Sequence, residues 1–130
     1  MQPAFDWVVR GGVADWQALQ KAYVIDENVT PPVYGFSVQY APGIAWEDLT
    51  RAGNIQNGKV CYADRKDLEV AMKQLGYTLL LVATPGRGYH HELSLVLVKD
   101  GLMLTTLPNQ AAQALSQVFR QHVVKNPLQP

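Results

Sequence analysis

The sequence predicts an α+β domain, a mixed and mainly antiparallel sheet of about six strands with three to four helices packed against it. Three observations predict it. Short apolar runs with a two-residue period alternate with runs spaced by three and four residues, giving the order β-α-β-α-β-α-β-β-β-α. Asp100-Gly101, set between two apolar runs, signals a hairpin near the end. Neither a glycine fingerprint behind a strand nor a G-x-x-x-x-G-K loop is present, which sets aside a doubly wound nucleotide fold.

Phe5 to Arg10 is aromatic and β-branched and runs into Gly11-Gly12, which predicts a first strand. Asp15 is placed to cap a helix reaching about Tyr23, with Trp16, Leu19, Gln20 and Tyr23 at helical spacing. Asp26 to Pro32 reads as a loop, because paired prolines deny donors to any ladder. Val33 to Tyr40 alternates as a strand, with Phe36, Val38 and Tyr40 on one face and Ser37 and Gln39 on the other. A short helix follows from about Ala45 to Ala52, stopped by Gly53. Asn57-Gly58 turns into a strand at Lys59–Ala63. Asp64 caps the next helix, whose apolar stripe is Leu68, Met72 and Leu75 and whose end is marked by Gly76. Thr78 to Ala83 is nearly all apolar, the mark of a central strand. Tyr89 to Lys99 is a long strand that turns at Asp100-Gly101 into Leu102–Leu107. Asn109 caps a last helix to about Val123, with Ala111, Leu115, Val118 and Phe119 inward. Residues 1–124 form the domain, and 125–130, with two prolines, are expected to be a flexible tail.

Bulk properties bound the function. Residues 1–50 carry six acidic and two basic side chains, and the rest five and nine, so the net charge of zero conceals opposed halves. A nucleic-acid binder working by electrostatics alone would be more basic. The single cysteine, Cys61, forms no internal disulfide and suits a reducing compartment. No segment approaches the roughly 18 consecutive apolar residues of a membrane span, and the opening residues lack a signal peptide's pattern. A cytoplasmic, soluble protein without a membrane partner is expected.

Chemistry concentrates after the Thr84-Pro85-Gly86-Arg87-Gly88 loop. On the following strand His91, Leu93, Leu95 and Leu97 share the core face, and His90, Glu92 and Ser94 the other. A polar trio on a strand otherwise apolar on both faces needs partners. Glycines let backbone approach a ligand, and Arg87 supplies a fork for phosphate or carboxylate. His90 beside Glu92 suits acid–base work on a phosphate-bearing substrate. Arg10, ending the first strand before two glycines, can reach into a cleft, and Ser37 and Gln39 line a polar strand face. His91 reads as a core-edge residue, His122 as a helix-end cation, and Cys61, Trp7, Trp16 and Trp46 as core. His90 and His91 with Glu92 on opposite strand faces make a poor chelate, so no metal is expected.

Val8-Val9-Arg10-Gly11-Gly12, Gly35-Phe36-Ser37-Val38-Gln39 and Thr84 to His90 resemble segments of small bacterial toxin-like domains at the ends of polymorphic effector proteins. Leu115 to Phe119 with Asn126-Pro127 is similar to the ends of such domains. Resemblance to the ribonuclease toxins implies His90 as general acid or base, Arg87 and Arg10 on phosphate, and cleavage of RNA through its 2′-hydroxyl with neither metal nor cofactor. Together with the residue pattern this makes His90, Glu92 and Arg10 the catalytic candidates and Arg87, Ser37, Gln39 and Ser94 the substrate-binding ones, on RNA or a nucleotide. Resemblance to ADP-ribosyltransferases implies NAD as cofactor, with Arg10, Ser37 and Glu92 in that family's arginine–serine–glutamate order; Ser37-Val38-Gln39 departs from its Ser-Thr-Ser motif. Either implies a cognate antitoxin or immunity protein. A non-catalytic antitoxin, immunity or adaptor module is the competing class, which the zero net charge favours. The last hairpin's edge strand could pair in a homodimer.

Overall fold

The computed structural model describes residues 6–129. The chain runs β1 (Trp7–Gly11), α1 (Trp16–Ala22), β2 (Val24–Asp26), β3 (Val33–Tyr40), α2 (Trp46–Ala52), β4 (Lys59–Asp64), α3 (Arg65–Gln74), β5 (Tyr77–Ala83), β6 (His90–Leu97), α4 (Asn109–Arg120) and β7 (Val124–Lys125). The α+β expectation holds, with every strand pair antiparallel. The strand order is β5-β6-β3-β1-β4-β7, and β2 joins β3 beside that path. No helix among the described residues is long and apolar enough to cross a membrane.

Cross-strand register assigns the faces. Val8, Phe36, Val38, Tyr40, Cys61, Ala63, Leu93 and Leu95 face the core, where α1, α3 and α4 deliver Leu19, Leu68, Met72, Leu115 and Phe119. On the opposite face α2 packs against β1 and β3. There Trp46 stacks on Tyr62 at 4.8 Å between ring centroids, and Tyr62 stacks in turn on His122 at 4.9 Å. Asp15 caps α1 by accepting from the amides of Gln17 and Ala18, and Asp64 caps α3 through Lys66. Gly35 brings β3 and β6 unusually close. A Cβ there would lie 2.5 Å from the Leu93 carbonyl oxygen, so only glycine fits.

Several expectations are corrected. The apolar run of β5 is an edge strand and not a central one, with Leu80 37% exposed; the run is apolar because α3 packs on it from one side. Leu102–Leu107 is no strand. It makes one bridge, Val96 with Met103, along the part of β6 that β3 has left. Pro108 and not Asn109 occupies the cap of α4, and the Asn109 side chain instead accepts from Gln20 Nε2 at 2.6 Å. The helix stops at Arg120, freeing Val124 to pair with Val60. The tail expected to be flexible is anchored through Gln129. Asn126 is fully buried and donates to the carbonyls of Ile55 and Asn57, and Gln129 donates to Gln56. Phe5 of the expected first strand and Pro130 of the tail lie outside the described residues.

Candidate active-site cleft

The β5–β6 hairpin supports the site. Thr84 N–H donates to the His90 carbonyl, Arg87 N–H to Thr84 and His90 N–H to Arg87. Gly86 and Gly88 flank Arg87 at φ of 74° and 59°, left-handed values that glycine adopts without steric cost. The hairpin thus lifts Arg87 to an exposed tip while folding His90 under it.

His90 and Glu92 share a strand face, and Glu92 sits directly across from Ser37 on β3. The His90 side chain is 8% exposed and that of Glu92 6%. His90 Nδ1 lies 2.7 Å from Thr84 Oγ1, and Nε2 lies 3.0 Å from Ser37 Oγ and 3.6 Å from Glu92 Oε1. The Ser37 hydroxyl also reaches Glu92 Oε1 at 3.3 Å. Ser37 itself is exposed. A chain of contacts therefore runs from buried Thr84 through His90 to two groups that open outward.

They open into a cleft of about 480 Å³ between β2, β3 and the Arg87 loop, lined among others by Val24, Asp26, Gly35, Ser37, Arg87 and Glu92. Asp26 accepts from the Asn28 amide through Oδ1, while its Oδ2 is buried with no hydrogen-bond partner among the described residues. Ser37 is also a wall of a second cleft of about 290 Å³, with Arg10, Gln39, Ile55 and Asn57. Arg10 lies over the Phe36 ring at 5.3 Å and donates from Nη1 to the Ser37 carbonyl at 3.2 Å.

The electrostatics follow from burial and neighbours. Burial first, then the Asp26 carboxylate beside it, push Glu92 up to about 7. Asp26 moves the other way, chiefly because the Asn28 amide stabilises its charged form. Burial, reinforced by Arg87, lowers His90 below the ordinary histidine value, so its ring is neutral at pH 7. Burial lowers Arg10 as well, against the attraction of Cys61 and Glu92. A neutral base and a half-protonated acid thus face each other near neutrality.

Of the residues singled out from the sequence, Ser37, Arg87, His90 and Glu92 come together at the first cleft, while Arg10 lines the second and reaches only the Ser37 carbonyl. Gln39 packs over Gly53 in the second cleft. Ser94 is fully buried and donates to the Tyr34 carbonyl at 2.6 Å, a structural bond outside either cleft. His91 stacks edge-on against Tyr40. Sequence reasoning missed Asp26 and Thr84. It also weighed a chelate only within β6, whereas Asp26, His90 and Glu92 bring ligand atoms within 4.8 Å of one another. Comparison with protein-family models, with curated proteins and with solved structures returns no match.

Proposed function

We propose that this cleft carries out acid–base chemistry without a metal on a phosphodiester of RNA or of a nucleotide, in the manner of a small toxin-like or effector-like enzyme. One observation carries the reading: the His90 imidazole stands behind an exposed serine hydroxyl, 3.0 Å away, and beside a cleft-lining carboxyl, 3.6 Å away. Arg87 on the rim holds a phosphate oxygen, and Arg10 adds positive potential from behind Ser37. The substrate 2′-hydroxyl gives its proton to Ser37 Oγ as the serine proton passes to His90 Nε2. The 2′-oxygen then bonds to phosphorus, and the bond from phosphorus to the 5′-oxygen breaks. Protonated Glu92 supplies the proton to the departing oxygen. Imidazolium and carboxylate are left side by side, and one proton transfer between them resets the site.

The test is cleavage of a short RNA in chelator-treated buffer, with a 2′,3′-cyclic phosphate as the first product. His90→Ala and Glu92→Ala should each lower the rate by about 10²–10⁴-fold. Absence of cleavage by the wild type sinks the proposal.

A second reading has its own support. Arg10, Ser37 and Glu92 touch in sequence across β1, β3 and β6, the order that resemblance to ADP-ribosyltransferases implies. On that reading NAD occupies the cleft, and NAD consumption without RNA cleavage identifies it. Activity of either kind calls for a cognate immunity protein that covers the cleft. If neither substrate is consumed, a binding module of antitoxin, immunity or adaptor type takes its place.

A further inference from the structure

We propose that Asp26, His90 and Glu92 form a binding site for one first-row divalent cation, such as Zn²⁺ or Mn²⁺. The three ligand atoms, one ring nitrogen and two carboxylate oxygens, lie within 4.8 Å of one another. Bonds of about 2.0–2.2 Å to a single ion put tetrahedral ligands about 3.3–3.6 Å apart. His90 Nε2 and Glu92 Oε1 already stand at 3.6 Å. Asp26 therefore has about 1 Å to close, which a side-chain adjustment at the end of a three-residue strand supplies.

Two observations independent of that clustering point to a ligand. Asp26 Oδ2 is shut off from solvent with no partner among the described residues, a state that buried polar atoms rarely occupy. His90 Nδ1 lies on Thr84 Oγ1 at 2.7 Å, deep in the protein, the outer bond that metal-bound imidazoles make. With the Nδ1 proton given to Thr84, Nε2 offers its lone pair toward Glu92 and the cleft. The donor set of one imidazole and two carboxylates suits zinc or manganese better than calcium. Two negative charges balance the ion, and Arg87 and Arg10 nearby moderate its affinity. Three protein ligands leave a further position open to the 480 Å³ cleft.

The ion takes the lone pairs that the acid–base pair uses. Occupancy therefore switches that chemistry off. This consequence rests on the acid–base reading; the binding itself does not.

The binding experiment uses the full chain stripped with chelator and titrated at pH 8 with Co²⁺, followed by visible absorption, and with Zn²⁺ and Mn²⁺, followed by calorimetry. One equivalent should bind saturably. Asp26→Ala, at the end of β2, and Glu92→Gln should each weaken binding by about 10-fold or more, with folding confirmed by circular dichroism. His122→Ala and His91→Ala should bind as the wild type does. The site is overturned by absence of saturable binding, by binding unchanged in both Asp26→Ala and Glu92→Gln, or by loss in His122→Ala. RNA cleavage is measured separately, with and without saturating ion. Lack of cleavage in chelator sinks the acid–base reading and leaves the binding result standing; stimulation by the ion overturns the off-switch.

Discussion

Replacing Glu92 by glutamine isolates the energetic cost of the buried carboxylate. Burial and Asp26 raise this carboxyl from 4.5 to about 7. At about 1.36 kcal/mol per pK unit, ionising it in the folded chain costs up to about 3 kcal/mol. The folded form holds the proton more tightly than the unfolded form. The corresponding stability is therefore complete below the unfolded value and is lost as pH rises through about 7. Asp26 from β2 enlarges the cost, and Ser37 from β3 and Arg87 from the hairpin tip reduce it. Glutamine never ionises, and its amide can donate to Asp26 Oδ2. Urea and thermal denaturation of both proteins, with chelator present, should give similar stabilities near pH 4–5. At pH 8.5 the variant should be more stable by about 3 kcal/mol, or roughly 10 °C in Tm for a chain of this size. Parallel stability profiles from pH 5 to 8.5, or a less stable variant at pH 8.5, refute the reasoning.

Further outcomes follow from packing and burial. Gly35→Ala drives a methyl toward the Leu93 carbonyl and should destabilise by about 1–3 kcal/mol in urea denaturation; a change under about 0.5 kcal/mol contradicts the close approach of β3 and β6. Asn126→Ala leaves the carbonyls of Ile55 and Asn57 without their donor and should cost about 1–3 kcal/mol, with faster amide exchange at Asn57 through Val60 as a second readout. Phe119→Ala empties the centre of the helical layer and should cost about 3–5 kcal/mol. Cys61, fully buried and with burial pushing its thiol up to about 11, should resist disulfide reagents at pH 8 until denaturant is added; prompt labelling of the native protein would contradict its place in the core.

Local chemistry was legible wherever it decided the structure. The bounds of β3, the Asp64 cap and the Gly76 stop of α3 follow from alternation and cap residues alone. So does the shared face of His90 and Glu92, because period two leaves no choice. What no periodicity encodes is register between distant strands. Glu92 meets Ser37 across 55 residues of chain, and only the pairing of β3 with β6 makes them partners. Asp26 escaped notice because a three-residue strand is too short to show alternation and is followed by a proline-rich turn. Ser94 looked equivalent to His90 and Glu92 because it shares their face. Distance along the strand separates it, placing it against the Tyr34 carbonyl instead of the cleft. The apolar run of β5 shows the same limit: composition reports what covers a strand and not where it stands in the sheet.

Between Gln39, where β1 lets go of β3, and Gly35, where β2 takes hold, the β3 backbone has no ladder neighbour on that side among the described residues. The guanidinium of Arg10 reaches across to the Ser37 carbonyl and stands in for one. Paired with β6 on one side, the main chain that carries the serine hydroxyl is thus tethered on the other by a side chain and not by a second strand. A lysine in place of Arg10 keeps the charge but gives up the planar fork, so the hydroxyl would lose its fixed address although nothing in the first cleft had been altered.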